Sequence, residues 1–507
     1  MKKLYFLLLL VFVVEKVFSQ STVLLPNVNE TPRLNFNQIL ALPSPKSGSM
    51  VFDTDANCLK VFNGLEWKCV FENSAQMAKG ITGGSNKGII HSTIDALGNL
   101  YVFGQFGGTV DFGGISLTAL SSTDLFVLKY SKNNQLLWAN RIGSPSGNYA
   151  GKMAVSENGD VYVTGLFVGS LSVGAITLNS YGLSDIFVFK YDLNGNVIWG
   201  KNAGSSDDDW GGEGIIVDNN NVYLTGGFRG TATFGPFSVI SSGANVVFLT
   251  KLNSNGDFQW VVKGGSSATD RGICLSKDES GNIYLGGMYG ANASFGSFLL
   301  TNGGNLDIFL AKYNSDGLPQ WVNRISGSVN EQIYDLKNDN LGNIYAVGML
   351  QSNSTFYSTS NSAVVNAPNS GGQFIAKYNL NGNLIWAKRP FSSSSAEMIA
   401  ALAIDQANNL YTIGSFAGNI TFRGETFNGG TTFSFLSKMN STGEIQWIKT
   451  PTGSVSGNYG SCININPIGD IYALGSYIST CTFGSVTLNY PIFGSGYDLF
   501  IWRVPQN

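Results

Sequence analysis

The residues best suited to chemistry stand at one repeated position, fourteen residues before a tyrosine that recurs seven times. The residues at this position are Lys87, Asn148, Asp209, Asp270, Glu331, Glu397 and Asn458. Repeats three to six supply the acids, which we call the acidic arc. Such an arc could bind a cation or a basic peptide. The alternative is that each side chain bonds to backbone N–H groups of its own loop, as Asn and Asp commonly do.

Aromatic residues follow at the next position in three repeats, as Tyr149, Trp210 and Tyr459. Beside the acidic arc, exposed rings could form a platform for a sugar or a peptide, with Gly88 leaving a gap. The alternative is packing between neighbouring sheets, because these positions share strand parity with the apolar face.

Other kinds of site have less support in the sequence. The run 207–209 is acidic and could hold Ca²⁺, but it lacks the alternating spacing of known calcium loops, so we expect no cofactor. His91 is the single histidine, which rules out His-cluster metal sites and leaves few ways to activate a Ser or Cys nucleophile. The formal charge of -3, without a basic stripe, argues against nucleic-acid binding.

The elements that must position these residues form a repeat of 61 residues, interrupted by one five-residue insertion. Its tyrosines are Tyr101, Tyr162, Tyr223, Tyr284, Tyr345, Tyr411 and Tyr472. The fullest copy runs from Asp339 to Trp386 and carries Asp-x-x-Gly-Asn-x-Tyr-x-x-Gly, a Phe eleven residues after the Tyr, a Lys-Tyr pair and an Asn-Gly turn before the Trp. Alternating apolar residues and Asn-Gly turns predict four antiparallel strands in each repeat.

The repeat tryptophan occurs only six times, because the chain stops after the third strand of the seventh repeat. A spare hairpin at 50–70 carries Asn63-Gly64 and Trp67, which resemble the end of a repeat. We therefore predict an all-β chain, a seven-bladed β-propeller of four-stranded antiparallel blades, closed by an N-terminal strand around Trp67 that completes the last blade. A β-solenoid is the alternative architecture.

The repeated motif, with the following Asp-x-Phe-x-x-Lys-Tyr and Gly-x-x-x-Trp segments, resembles the SBBP-type β-propeller repeat family of exported bacterial proteins. The resemblance covers residues 86–507. It implies the propeller fold and an extracytoplasmic setting, and it brings no catalytic residues with it. Val246, Leu252, Phe433 and Met439 depart from the pattern, as does Val173 in place of the Phe.

The N-terminus predicts export. Residues 1–19 read as a signal peptide, with Lys2 and Lys3, a short apolar run and a small residue at the cleavage site. Residues 20–49 are predicted as an extended leader, and residues 50–507 as the propeller. No apolar stretch is long enough for a membrane span, so we expect an extracellular or periplasmic protein.

Five cysteines in an exported chain make disulfides possible. A two-residue turn at Asn63-Gly64 would place Cys58 opposite Cys69, where a disulfide could form; this register makes them a hydrogen-bonded pair, so two free thiols are the alternative. Cys274 and Cys462 are expected to be small buried residues, and Cys481 is left unassigned.

Together these patterns predict an exported, non-catalytic monomer that acts as a binding or scaffold module through loops on one face. Its partner would be a protein, a peptide or a glycan. The alternative is a carbohydrate-active or lyase-type enzyme that uses the acidic arc, because glycoside hydrolysis needs only two nearby carboxylates.

Overall fold

A computed structural model describes residues 32–34, 38–39, 41–53, 58–62, 64, 67–69, 77–218, 220–367, 371–391, 397–422, 425–428, 432–453, 457–490 and 496–505. Apart from two helical residues at 38–39, every regular element in this part of the chain is a β-strand. The chain forms two compact units, 1–75 with residue 507, and 76–506. The predicted signal peptide lies outside the described residues.

The first unit holds one four-stranded sheet, in the order β1, β2, β3, β4. Its strands are β1 (Arg33–Leu34), β2 (Met50–Asp53), β3 (Cys58–Phe62) and β4 (Trp67–Cys69). The predicted hairpin register is wrong, because four residues rather than two connect β3 to β4. Phe62 lies opposite Trp67, and Lys60 lies opposite Cys69. The side chains of Cys58 and Cys69 lie outside the described residues, so their disulfide stays a prediction.

The second unit opens with β5 (Met77–Ile81) and continues through seven repeats. The strands of repeats 1 to 3 are β6 (Ser85–Ile94), β7 (Leu100–Gly107), β8 (Thr109–Asp111), β9 (Ser116–Thr118), β10 (Asp124–Tyr130), β11 (Leu136–Ile142), β12 (Asn148–Val155), β13 (Val161–Phe167), β14 (Ser170–Val173), β15 (Ile176–Asn179), β16 (Asp185–Tyr191), β17 (Val197–Ala203), β18 (Trp210–Asp218), β19 (Asn221–Phe228), β20 (Thr231–Phe234), β21 (Phe237–Ile240), β22 (Val246–Leu252) and β23 (Phe258–Gly264).

Repeats 4 to 7 follow the same order, with a two-residue strand, β42, before the last repeat. Their strands are β24 (Arg271–Lys277), β25 (Ile283–Tyr289), β26 (Ala293–Phe295), β27 (Phe298–Leu300), β28 (Asp307–Tyr313), β29 (Pro319–Ser326), β30 (Glu331–Asn338), β31 (Ile344–Leu350), β32 (Ser354–Tyr357), β33 (Ser362–Val365), β34 (Gly372–Tyr378), β35 (Leu384–Lys388), β36 (Glu397–Ile404), β37 (Leu410–Phe416), β38 (Asn419–Phe422), β39 (Glu425–Asn428), β40 (Phe433–Met439), β41 (Ile445–Lys449), β42 (Thr452–Gly453), β43 (Tyr459–Ile465), β44 (Ile471–Tyr477), β45 (Cys481–Phe483), β46 (Val486–Leu488) and β47 (Asp498–Val504).

Repeats 1 to 6 each build one four-stranded antiparallel arrangement, and repeat 7 builds three strands of another; we number these sheet 1 to sheet 7. In sheet 1 the order is β6, β7, β10, β11, and these are its first to fourth strands. Sheets 2 to 6 repeat that order, and sheet 4 extends further through β32 and β33. The prediction of an all-β chain with four-stranded antiparallel sheets is confirmed.

A two-stranded hairpin between the second and third strands of each repeat was missed by the sequence analysis. In repeat 5 this hairpin is β32 and β33, and it carries Phe356, the Phe of the repeated motif. Phe356 is fully buried, and its ring centroid lies 5.2 Å from that of Phe374 on the third strand. β32 also pairs with β29, the fourth strand of sheet 4, with Phe356 opposite Ile325. The hairpin therefore joins sheet 4 to sheet 5 and seals the junction with an aromatic contact.

The rest of the motif also serves the sheets. Asp339 Oδ1 accepts hydrogen bonds from the N–H groups of Leu341 and Asn343, and Oδ2 accepts one from the Tyr345 hydroxyl at 3.2 Å. Lys377 lies over the Tyr345 ring, with its ammonium 4.9 Å from the ring centroid. The Asp, Asn, Tyr and Lys of the motif are thus one local network that fixes the turn between the first two strands.

The fourth strand of sheet 7 comes from the other end of the unit. β5 pairs with β47, with Met77 opposite Arg503 and Ile81 opposite Leu499. In sheet 1 the equivalent partners are Lys129 and Trp138, so Met77 stands where the other sheets carry Trp. The prediction that the hairpin at 50–70 supplies this strand is therefore corrected, because the Trp67 strand pairs with β3 in the first unit.

The first strands of neighbouring sheets contact one another in chain order, and that of sheet 7 also contacts that of sheet 1. At the last junction, Asn464 Nδ2 donates to Ser92 Oγ at 2.6 Å, and Cys462 Sγ lies 3.4 Å from the carbonyl oxygen of Ile90. Sheets at the two ends of the sequence are thus in direct contact.

Candidate functional site

The acidic arc is buried at the ends of sheets 3 to 6, where the first strands begin. Asp209 Oδ2 accepts from the Ser205 N–H at 2.6 Å, and Oδ1 accepts from the Arg229 N–H at 3.0 Å. Asp270 makes the corresponding contacts with the N–H groups of Ser266 and Gly290. These two acids therefore bind the backbone of their own loops, as the structural alternative expects.

The other two acids are bonded in different ways. Glu331 accepts from the Gly327 N–H at 3.1 Å and from the Ser354 hydroxyl at 3.1 Å. Glu397 pairs with Arg389, whose Nη2 lies 3.1 Å from Oε1. The burial of all four favours a role in shaping the loops, and ligand binding by the arc stays a prediction.

One arc residue forms part of a buried carboxyl pair. Burial raises the pKa of Asp185, at the start of the third strand of sheet 2, to about 7, and the neighbouring Asp209 adds to the shift. Burial likewise raises the pKa of Asp209 to about 6. Near neutral pH the pair therefore holds a proton between the two sheets more readily than isolated carboxyls would.

This pair predicts that acid stabilises the second unit. Since the folded-state pKa of Asp185 is raised, its contribution is fully present below the unfolded pKa and is lost as pH rises through about 7. We expect a larger free energy of unfolding at pH 5 than at pH 8, measured by urea titration. Asp185→Asn should reduce this difference, whereas Asp257→Asn, at an exposed carboxylate, should leave it unchanged. An equal difference in the free energy of unfolding between the two pH values in the wild type, Asp185→Asn and Asp257→Asn would contradict the prediction.

The three predicted aromatic residues differ in exposure. Tyr149 is 65% exposed and Trp210 is 37% exposed, whereas Tyr459 is half-buried, with its ring 5.6 Å from that of Tyr497. Tyr149 and Trp210 hold the same place in the neighbouring sheets 2 and 3. Arg271 holds that place in sheet 4, and its guanidinium lies 4.5 Å from the Trp210 ring. Together they offer exposed ring faces beside a cation.

A second set of polar side chains, which the sequence analysis did not single out as a site, lies four residues beyond the acidic position. The residues there are His91, Lys152, Glu213, Cys274, Asp335, Ala401 and Cys462. Each first strand contains a β-bulge just before or at this position. Bulges redirect side chains out of regular alternation, so one irregularity repeated in every sheet presents a different group from each.

Lys152 joins sheet 2 to sheet 5. Its ammonium donates to the carbonyl oxygen of Tyr334 at 3.2 Å and lies 3.8 Å from Asp335 Oδ1. Lys337 lies 3.2 Å from the same oxygen. We call His91, Lys152, Asp335 and Lys337 the cross-sheet cluster, since it links sheets that are far apart in the sequence.

The charges within the cross-sheet cluster control one another. Burial disfavours the charged form of Asp335, but Lys337, Lys152 and the Leu402 N–H together hold its pKa below its usual range. His91 Nδ1 accepts from the Met153 N–H at 3.3 Å. Burial, with the two lysines, lowers the pKa of His91 to about 3. His91 is therefore neutral, and the lysines provide the positive charge of the cluster.

The two cysteines at this position are poor nucleophiles. Burial raises the thiol pKa of Cys274 and of Cys462 to about 12. Both are free thiols, as is Cys481. Since the thiolate is the reactive form, neither residue beside the cluster is set up for attack on a substrate.

A polar path connects the exposed aromatics to the interior. Arg271 Nη1 lies 3.2 Å from Glu213 Oε1, and both side chains are 29% exposed. Burial raises the pKa of Glu213, while Arg271 and Lys152 oppose that shift. Side chains thus lead from Trp210 through Arg271 and Glu213 toward Lys152.

Comparison with known proteins gives a coarse classification. No family model matches the chain. An uncharacterized WD repeat-containing protein of Acanthamoeba polyphaga mimivirus is 23% identical over 343 residues, which is 53% of this chain and 24% of that protein. With the repeated four-stranded sheets, this similarity supports a β-propeller repeat protein. The resemblance to the SBBP-type family stays a prediction.

Solved structures show distant likeness only. Virginiamycin B lyase from Staphylococcus aureus is 8% identical, with a TM-score of 0.41 over 84% of this chain and 98% of that one. YCF48 bound to D1 peptide is 11% identical, with a TM-score of 0.34 over 72% and 93%. One of these proteins is an enzyme and the other was solved with a peptide.

Within the described residues, no cluster of three or more His, Cys, Asp or Glu side chains is arranged to hold a metal ion. In the run 207–209, Asp208 accepts a hydrogen bond from the Ser184 hydroxyl, and Asp209 is bonded as described above. The expectation that this run holds no Ca²⁺ is not tested by these contacts and stays a prediction. No helix in the described part of the chain has the length and apolar character needed to cross a membrane.

Proposed function

We propose that this protein is an exported, non-catalytic binding module that takes a glycan or a peptide at the end of the sheets where the first strands begin. One observation carries the proposal: Tyr149 and Trp210 present exposed rings from equivalent places in adjacent sheets, with Arg271 stacked on Trp210. The two rings stand with Arg271 at equivalent strand positions, and such a grouping suits both sugar faces and peptide side chains.

We further propose that the seven sheets form a closed seven-bladed β-propeller. Two observations support closure: the pairing of β5 with β47, and the contacts between the first strands of sheets 7 and 1. In such a ring the first strands line a central channel. The exposed aromatics would then stand at the channel mouth, and the cross-sheet cluster would span the channel below them.

The enzyme alternative has less support in the geometry. It relies on the acidic arc, yet the carboxylates of Asp209, Asp270 and Glu331 are buried and bonded to their own loops. A general acid and a nucleophile must both reach the substrate. Export rests on residues 1–19, and we propose a monomer outside the cytoplasm.

The binding proposal is tested by screening the mature protein on glycan and peptide arrays and then measuring the affinity of each hit. Tyr149→Ala and Trp210→Ala should each weaken binding by about tenfold, the loss of roughly one aromatic contact. Leu193→Ala is the control, since Leu193 is 49% exposed in the turn between the third and fourth strands of sheet 2, at the opposite end of the sheet from Tyr149. Hits that bind all variants equally would exclude this surface.

A further inference from the structure

The geometry points to a binding site for a single carboxylate group within the cross-sheet cluster, held between the ammoniums of Lys152 and Lys337. The inference rests on the proposed binding role and names the chemistry of the ligand. It follows from unused donors, from charge balance and from solvent access.

The lysines have more donors than the protein uses. An ammonium carries three N–H donors. Lys152 gives one to the carbonyl oxygen of Tyr334, and at 3.8 Å from Asp335 Oδ1 it makes an ion pair too long for a hydrogen bond. Lys337 gives one donor to the same oxygen at 3.2 Å. The remaining N–H groups of both ammoniums lie near Asp335 Oδ1, where the oxygens of a second carboxylate could accept hydrogen bonds from them.

Asp335 cannot satisfy both lysines alone. Its Oδ1 already accepts from the Leu336 N–H at 2.9 Å, and its Oδ2 accepts from the Leu402 N–H at 3.2 Å. The Leu402 bond ties Oδ2 to sheet 6. Oδ1 is shared by the Leu336 N–H and Lys337, so Lys152 contacts the carboxylate only at 3.8 Å. The Lys152 ammonium therefore keeps N–H donors for an acceptor from solution.

The net charge favours a monoanion. Two ammoniums and one carboxylate leave one positive charge, because His91 accepts a hydrogen bond through Nδ1 and is neutral. The neighbouring Arg271 and Glu213 form a pair and cancel. A carboxylate would neutralise the cluster, whereas a doubly charged phosphate or sulfate would reverse its sign at a cost in a partly buried site.

The site remains open to solutes. The side chains of Lys152 and Lys337 keep 19% and 38% of their exposure, although Asp335 between them is buried. Charge-assisted hydrogen bonds to a carboxylate are strongest in such partly desolvated surroundings. The ligand is thus an acidic one, such as a uronic-acid-containing glycan or a peptide with a free carboxyl group.

The test uses paired small probes, benzoate against benzamide and acetate against acetamide, titrated into the full mature protein at constant ionic strength. Ligand-observed NMR would give the affinities. We expect the two carboxylates to bind and the two neutral amides not to bind. Lys152→Met and Lys337→Met should each weaken carboxylate binding by about tenfold, the loss of one charge-assisted hydrogen bond.

Two further variants keep the result interpretable. Lys201→Met removes a lysine that also lies 3.8 Å from a carboxylate, but that carboxylate, Asp257, is exposed and lies outside the cross-sheet cluster, so this variant should bind as the wild type does. Lys152→Arg retains the charge and should retain binding, which guards against a folding defect in Lys152→Met. Equal binding of amide and carboxylate, or unchanged affinity in Lys152→Met, would overturn the site. If Tyr149→Ala lost its array hits but still bound benzoate, the carboxylate site would be supported as a site distinct from the exposed aromatic residues.

Discussion

Deleting residues 77–81 is expected to unfold or aggregate the second unit, and deleting residues 50–70 is not. β5 supplies the whole fourth strand of sheet 7, with five residue pairs along β47. Its removal would expose Ile501 and Trp502, which are 1% and 4% exposed, and would leave the backbone edge of β47 unpaired. An unpaired apolar edge strand is a template for association between chains.

The expected size of the effect follows from burial. Ile81 is 1% exposed, and truncating a buried isoleucine to alanine alone costs about 2–5 kcal/mol. Loss of the complete strand adds the ladder hydrogen bonds and the exposed apolar surface of β47. We therefore expect the melting temperature to fall by far more than in any single truncation, or soluble protein to be lost.

Differential scanning calorimetry and size-exclusion chromatography of both deletions would decide the matter. The deletion of 50–70 removes the Trp67 hairpin, whose strands pair within the first unit, and should keep the main transition. Ile81→Asp, which buries a charge at the end of β5, should reproduce much of the loss in a full-length chain. If deletion of 50–70 lowered the melting temperature more than deletion of 77–81, the assignment of β5 as the fourth strand of sheet 7 would be wrong.

The repeated sheets could be predicted from the sequence because each local signal has a physical cause. The glycine of the Asn-Gly or Asp-Gly pair takes a positive φ in the turn before the fourth strand, as Gly195 and Gly382 do, and alternating apolar residues set the faces of the strands. The hairpins between second and third strands were missed since they are short and half exposed. β8, for example, has three residues and one buried side chain, Val110.

The strand completing sheet 7 shows where similarity of residues misleads. Trp67 follows an Asn-Gly turn, as the repeat Trp does, and so attracted the assignment. Met77 actually holds the position opposite Arg503, and nothing in its type announces this. Which segment pairs with β47 depends on the backbone edge that is unpaired once the other sheets have assembled. The sequence of the five-residue segment β5 does not show this by itself.

The same distinction applies to the candidate site. Residues that recur stabilise the sheets: Tyr345 has a tyrosine counterpart in every repeat, and Asp339 has an aspartate counterpart in repeats 1, 4 and 6. The cross-sheet cluster lies where the repeats disagree, and His91, treated alone, served only to exclude His-cluster metal sites. In an alignment of the seven repeats, this position stands out because its residues differ in charge and polarity from one repeat to the next. The geometry of the cluster could not be predicted, because it depends on a bulge and on contact between sheets 2 and 5.

The second large effect is expected on removal of the carboxylate that holds the cross-sheet cluster together. Asp335 is 5% exposed and lies near both Lys152 and Lys337. Asp335→Ala would leave both ammoniums without this counter-charge. Breaking a fully buried ion pair in this way costs about 3–5 kcal/mol, and the 19% and 38% exposure of the two lysines places the expected loss below that range. Urea unfolding at pH 7 would measure the loss. Asp257→Ala, at an ion pair of 3.8 Å on the surface, should change stability little.

The loss of stability in Asp335→Ala should depend on pH, whereas a loss caused only by the cavity that the side chain leaves should not. Because the folded-state pKa of Asp335 is lowered, its contribution is present above the ordinary aspartate pKa and is lost as pH falls through the folded value. The gap between wild type and Asp335→Ala should therefore narrow in acid, opposite to the trend expected from Asp185. Adding Lys152→Met and Lys337→Met should recover stability, since an apolar trio needs no counter-charge. Independent, additive losses in the triple variant would show that the three residues do not act as one charged unit.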